Sequence, residues 1–162
     1  MNTETVVIAF DGSPAARRAV EEAARVLKSS RALVVTVWEE GLAYVTPLAP
    51  TEGMMTMSPM VDPAVARELD RSAHDHAERV SQEGAALANS LGLEAQPLAV
   101  PDERDVAKTV LAVVEKHQAA AIVVGSRGLG GLRARLEGST SKALLKHAPC
   151  PVLVVHEADE DR

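Results

Sequence analysis

The sequence predicts an α/β fold: a single domain on an open, parallel five-stranded sheet of order 3-2-1-4-5, with helices on both faces. Three observations lead there. Short β-branched apolar runs alternate with longer stretches whose apolar residues recur every three or four positions, the pattern of strands alternating with amphipathic helices in a parallel sheet covered on both sides. The 162 residues suit one domain with a full core. Hydrophobic residues make up 46% of the chain and aromatics only 2%, so the core must be built from Ala, Val, Leu and Ile. Right-handed crossovers then favour the order 3-2-1-4-5.

Thr5–Phe10 reads as the first, buried strand. Asp11-Gly12 turns, Ser13 can cap and Pro14 can take the first helical position. Ala16, Val20, Ala23 and Leu27 mark one face of the first helix, and Ala32–Val37 is the second strand. Residues 39–62 carry five breaks (Gly41, Pro47, Pro50, Gly53, Pro59) and four of the five Met. A connection this long is expected to be functional or disordered, and its Met residues suit folding over an irregular ligand surface. Asp62-Pro63 repeats the cap signal. Val65, Leu69, Ala73, Ala77, Val80, Gly84, Leu87 and Leu91 then predict one long amphipathic helix. Leu93–Val100 is the third strand, placed at an edge by Pro97. Asp102–His117 is a helix with Val106, Val110, Val113 and His117 on one face. Ala120–Val124, a Gly-rich loop, a short helix to about His147 and the strand Pro151–His156 follow. The domain is expected over residues 1–157, with a polar, frayed tail over 158–162.

The net charge of −6 argues against general binding to nucleic acid or anionic membranes. No stretch is long enough to span a bilayer, and the start, Met1-Asn2-Thr3-Glu4, is polar and acidic rather than a signal peptide. The single cysteine, Cys150, has no partner for an internal disulfide. A cytoplasmic location is the expectation.

The chemistry concentrates after the fourth strand. Gly125-Ser126-Arg127-Gly128 is followed by nine residues and then by Gly138-Ser139-Thr140. Glycines bring backbone N–H groups close to an anion, and a helix start adds unpaired donors and partial positive charge. Ser139, Thr140 and Ser141 add hydroxyls; Arg127, Arg133 and Arg135 add cations. Residues 126–137 hold three Arg and one Glu, a local reversal of the chain's sign. Two common phosphate loops do not fit. Gly125 to Gly130 has the first spacing of a P-loop, but Gly131-Leu132 stands where Lys and a hydroxyl are required. Gly128-Leu129-Gly130 begins a dinucleotide fingerprint, but Arg133 occupies its third Gly. The order 3-2-1-4-5 reverses between strands one and four, and ligands of such sheets bind at the strand C-termini beside the reversal. Asp11 and Gly125 both open onto that crevice.

The spacing at Gly125, Gly128, Gly138 and Ser139 resembles the nucleotide-binding motif of the universal stress protein family. Val6-Val7-Ile8-Ala9-Phe10-Asp11-Gly12-Ser13, the strand ending in Val37 and Pro149-Cys150-Pro151-Val152-Leu153-Val154-Val155 resemble the same family, so the likeness spans nearly the whole chain in order. Ala120, Val100-Pro101-Asp102 and Trp38 depart from the family pattern. The resemblance, to the subgroup that binds ATP, implies a Rossmann-like fold like that of the adenine-nucleotide hydrolases.

In this reading Gly125 and Gly128 allow backbone approach to the ribose-phosphate region, within a loop that also offers Ser126, Gly130 and Gly131. Gly138 admits tight re-entry into the helix, and Ser139, Thr140 and Ser141 hold the outer phosphates. Asp11 accepts from a ribose hydroxyl or holds Mg²⁺ through water. Ala9 and Val37 offer main-chain groups to adenine, as the resemblance also suggests, and Arg127 screens phosphate charge. Plainer roles compete. Ser139 is a common helix cap, Asp11 beside Gly12 a common turn former, and Arg133 and Arg135 a solvated face. His74 and His76 point to different sides of a helix, which disfavours a metal site. His117 and His147 suit helix C-termini, and Cys150 reads as structural.

The expected function is binding of an adenine nucleotide, ATP most simply, in stress sensing or signalling. Hydrolysis needs a positioned base or nucleophile, and Asp11 is the only candidate; at most slow turnover is expected, not an enzyme. One alternative is a dimeric interaction protein with nucleotide as stabiliser, pairing through the exposed edge Pro151–His156, as the family commonly does. Another is a cyclic-AMP binder. Hydrolytic relatives carry a Ser-Gly-Gly-rich loop after strand one, where this chain has Asp11-Gly12-Ser13-Pro14.

Overall fold

The computed structural model describes residues 4–27, 31–40, 62–102, 105–126 and 139–156. Among these residues nine elements follow in order: β1 (Thr5–Ala9), α1 (Pro14–Val26), β2 (Arg31–Glu39), α2 (Pro63–Ser90), β3 (Glu94–Asp102), α3 (Val106–His117), β4 (Ala121–Gly125), α4 (Ser139–His147) and β5 (Val152–Val155). The strands form one sheet of order β3-β2-β1-β4-β5, and every pairing is parallel. This is the expected order, with β3 at an edge as Pro97 required.

Alternation along the strands divides the core into two layers. Val6, Ile8 and Phe10 pack with Ala16, Ala19, Val20 and Ala23 of α1 and Val80, Ala85 and Ala88 of α2. Val7 and Ala9 face the other way, against Val110, Val113 and Val114 of α3 and Leu144 of α4. The caps are local chemistry. Ser13 Oγ accepts from Ala16 N at 3.1 Å, and Asp62 Oδ1 accepts from Ala64 N at 2.8 Å, each ahead of a first-turn proline.

Two expectations need correction. The third helix begins at Val106, not Asp102. Asp105 is its cap, accepting from Ala107 N at 2.8 Å, while Asp102 stays in β3 opposite Glu39 and accepts from Thr109 Oγ1 at 3.2 Å. The buried face of α2 also follows the predicted stripe only in part: Ala77, Val80 and Gly84 are buried as expected, and Leu87 packs against the core. Ala66, Ala77, Val80, Ser81, Gly84, Ala85 and Ala88 are buried, whereas Val65, Leu69 and Leu91 are 51%, 50% and 45% exposed. The reason is proximity. A Cβ on Gly84 would lie 2.7 Å from both Phe10 Cδ1 and Val34 Cγ1, so the helix meets the sheet through small residues.

Candidate functional site

The connection after β1 leaves the sheet on the α1 side, and α4, which follows β4, packs on the opposite face. The connections leaving the C-terminal ends of β1 and β4 therefore run to opposite faces, the arrangement in which sheets of this type form a ligand crevice. Hydrogen bonds define its β1 wall. Phe10 N donates to Val35 O at 2.8 Å, and Phe10 O accepts from Thr36 Oγ1 at 2.8 Å. The first bond continues the β1–β2 ladder one residue past the strand and the second, from a side chain, ties the same residue to β2, which fixes Asp11 beside the Val37 end of β2. Asp11 is half-buried. Its Oδ1 accepts from Ser13 N at 2.9 Å, an Asx turn that needs the left-handed φ of 79° at Gly12. Asp11 thus has its turn-forming role, and among the described residues its second oxygen has no partner. Ala9 is buried and Val37 half-buried, both on the α3 face.

On the β4 wall, Gly125 is buried. A Cβ there would stand 3.0 Å from the backbone C and O of Ala15 and 3.1 Å from its Cβ. The first turn of α1 occupies the space that a side chain would take, so packing is one reason for the glycine. Ser126 N donates to Val155 O at 2.7 Å. That N–H belongs to the β4–β5 ladder and is not free for an anion; only its hydroxyl remains as a donor. The next described residues after Ser126 are those at the start of α4. Ser139 is exposed, Thr140 half-buried and Ser141 buried, and Ser141 is already partnered. The helix is anchored by Leu144, which is fully buried, and the first N–H groups of any helix lack intrahelical acceptors. Arg127, Gly128, Gly130, Gly131, Arg133, Arg135 and Gly138 lie outside the described residues, as do Gly41–Val61 and the tail from Glu157.

Sequence reading missed Thr36. The residue is 6% exposed and its hydroxyl ties β2 to Phe10; the only signal was a lone hydroxyl inside the apolar run Val34–Val37. It also missed the setting of Trp38, whose indole stands edge-on to the His74 ring at 5.6 Å with Nε1 buried and without a hydrogen-bond partner among the described residues. His74, Asp75 and Glu78 gather their ligand atoms within 4.8 Å. However, Asp75 faces Nδ1 at 3.4 Å and Glu78 faces Nε2 at 3.6 Å. The two carboxylates therefore address opposite nitrogens, which suits a surface ion pair better than a metal centre. His117 and His147 sit in the last turns of α3 and α4. Burial pushes the Cys150 thiol above its ordinary pKa, the opposite of a reactive thiolate. No helix among the described residues is long and apolar enough to cross a membrane.

The family model of the universal stress protein family matches residues 2–156. A universal stress protein of Thermus aquaticus is 30% identical over 154 residues, covering 94% of this chain and 98% of its own length. The fold is shared with UspA of Lactobacillus plantarum at a TM-score of 0.68, with 20% identity over 96% of this chain and 99% of that one. It is shared with an Archaeoglobus fulgidus universal stress protein in complex with dAMP at 0.61, with 18% identity over 96% and 99%. A universal stress protein in complex with cAMP also scores 0.61, with 21% identity over 95% and 97%. With nearly the whole chain matched by the family model, and a relative matched almost end to end, the chain belongs to the universal stress protein family.

Proposed function

We propose that the crevice binds an adenine nucleotide, ATP with Mg²⁺ in the cell, and that the protein senses or signals stress through the bound nucleotide. One observation carries this reading: Asp11, just past β1, and Gly125-Ser126, at the end of β4, lie where the strand order reverses, and the chain leads from that end of the sheet to α4. That is where sheets of this type hold phosphorylated ligands. The dAMP and cAMP bound by structural neighbours add support for the adenine class. The residues fit the ligand in kind. Asp11 keeps one oxygen for a ribose hydroxyl or a Mg²⁺-bound water, and the first turn of α4 supplies N–H and hydroxyl donors for phosphate oxygens. Val37 and Ala9 supply main-chain groups for the base, and Arg127 with the glycines of 128–138 completes the phosphate side. Turnover is at most slow in this reading, because Asp11, the one carboxylate at the reversal among the described residues, already uses an oxygen in its own turn.

Melting the protein with and without ATP–Mg²⁺ tests binding. At ligand about 100 times Kd, stabilisation of about 2.7 kcal/mol is expected, or about 5–10 °C for a chain of this size. Gly138→Val and Gly128→Glu should abolish the shift. Trp38, the only tryptophan, follows Val37 directly and should report nucleotide by fluorescence. No melting shift and no nucleotide released on denaturation would reject the binder. A dimeric assembly through Pro151–His156 is the second reading. It is favoured by β5, an outer strand flanked by a groove of 260 Å³ between Arg18, Arg25 and Val26 of α1 and Leu153–His156. Sedimentation of wild type against Val154→Lys tests it.

A further inference from the structure

We infer that the groove between β3 and α3 docks an amphipathic helix of a protein partner, one that carries acidic residues two helical turns apart. The groove is about 500 Å³ and none of its lining residues belongs to the nucleotide crevice. Its floor is apolar, with Leu98 and Val100 of β3 facing Ala112 and Val113 of α3. Leu98 and Val100 lie on the α3 side of the sheet and are only partly covered. β3 is the outer strand, so the sheet carries no helix beyond α3 on this face among the described residues.

The charge pattern names the partner's chemistry. The ionisable groups lining the groove are Lys108, Lys116 and His117, all cationic or neutral, in a chain of net charge −6. Lys108, Ala112 and Lys116 form one i, i+4, i+8 row, which places the two lysine positions about 12 Å apart along the helix axis with an apolar step between them. Among the described residues neither lysine has a carboxylate partner. The nearby Asp102 carboxylate is engaged by Thr109. A single anionic head group would use one end of such a row; a helix with carboxylates about two turns apart uses both. An added strand is served less well. Pro97 and Pro101 lie in β3, and prolines sit in edge strands with the missing N–H on the outer side, which removes two donors from the row that pairing needs.

The probe is a synthetic capped peptide of about 18 residues, long enough to hold helix in isolation, with Leu on one face and two Glu flanking it two turns apart. Its counterpart has Lys for Glu. In ¹H–¹⁵N spectra of the full chain, the Glu peptide should shift Val100, Ala112 and Val113, and the Lys peptide should bind about tenfold more weakly. The double variant K108E/K116E should reverse that preference while leaving the melting temperature within about 2 °C, as exposed charge changes usually do. Equal binding of both peptides to wild type, or shifts outside the groove, would overturn the inference. So would a saturable response to dodecanoate with none to either peptide, which makes the groove a small-amphiphile site. Concentration-dependent shifts at the same residues without peptide would instead assign the groove to a second copy of this chain and would equally overturn it.

Discussion

Gly125→Ala is expected to lower the melting temperature of the ligand-free protein, before any effect on nucleotide is considered. The new Cβ would lie 3.0 Å from Ala15 C and O and 3.1 Å from Ala15 Cβ, against about 3.5–4.0 Å for relaxed carbon contacts. The opposing atoms are backbone in the first turn of α1, and they cannot swing aside as a side-chain tip would. That turn is held by the Ser13 cap and by Ala15, Ala16 and Ala19, all buried. Overpacking of this kind costs about 1–3 kcal/mol, offset by about 0.4–1 kcal/mol because alanine restricts the unfolded chain. A net loss of about 1–2 kcal/mol corresponds to a fall of about 2–8 °C. Thermal melts by circular dichroism, first without nucleotide and then with ATP–Mg²⁺, separate two uses of this glycine. If its only use were to admit phosphate, the ligand-free melt would not move and only the nucleotide-induced rise would vanish. An unchanged ligand-free melt therefore refutes the packing account.

Thr36→Val keeps the shape but strips the donor from Phe10 O. The buried carbonyl loses its bond, at about 1–2 kcal/mol, and the nucleotide-induced rise in melting temperature should shrink because the Asp11 wall loosens; full stability in the variant would argue against the tie. The raised pKa of Cys150 predicts slow reaction with iodoacetamide at mildly alkaline pH. Because folding favours the protonated thiol, its contribution to stability is complete below the ordinary thiol pKa and is lost as pH rises through the higher folded value. Labelling as fast as that of a free cysteine peptide would contradict this.

The fold was legible because its signals are local and repeated. Ser13-Pro14 and Asp62-Pro63 announce helix starts whose cap bonds the structure contains, and Pro97 places β3 at an edge. The start of α3 was harder, since Asp102 and Asp105 can both cap, and the choice depends on how far β3 stays paired with β2, which ends at Asp102 opposite Glu39. At the site, Asp11 and Gly125 could be placed from strand order alone. The hydroxyl of Thr36 and the contact of Gly125 with Ala15 could not, because both are distances between segments far apart in sequence. The use of the Ser126 N–H was hidden for the same reason; its acceptor, Val155 O, belongs to the next strand.

Gly84 joins packing to the site more directly. Phe10, the only phenylalanine, is fully buried and immediately precedes Asp11. Its ring seats under α2 where a Gly84 Cβ would lie 2.7 Å from Cδ1 and 2.9 Å from Cγ. Helix propensity alone would favour Gly84→Ala by about 1 kcal/mol, so a net loss of stability in that variant would isolate the steric term, at about 1–3 kcal/mol. If the ring shifts, the Asp11 turn shifts with it, and the response to nucleotide should weaken together with the melt. Gly92→Ala is the control. Gly92 has φ of 93° and nothing within 4 Å of its missing Cβ, so alanine there costs about 1–2 kcal/mol of backbone strain at the far end of α2 without moving Phe10. Comparable melting losses in the two variants, with nucleotide binding weakened only in Gly84→Ala, would mean that the small residues of α2 set the crevice geometry. Equal weakening in both would mean that binding merely follows global stability, and the proposed link through Phe10 would fail.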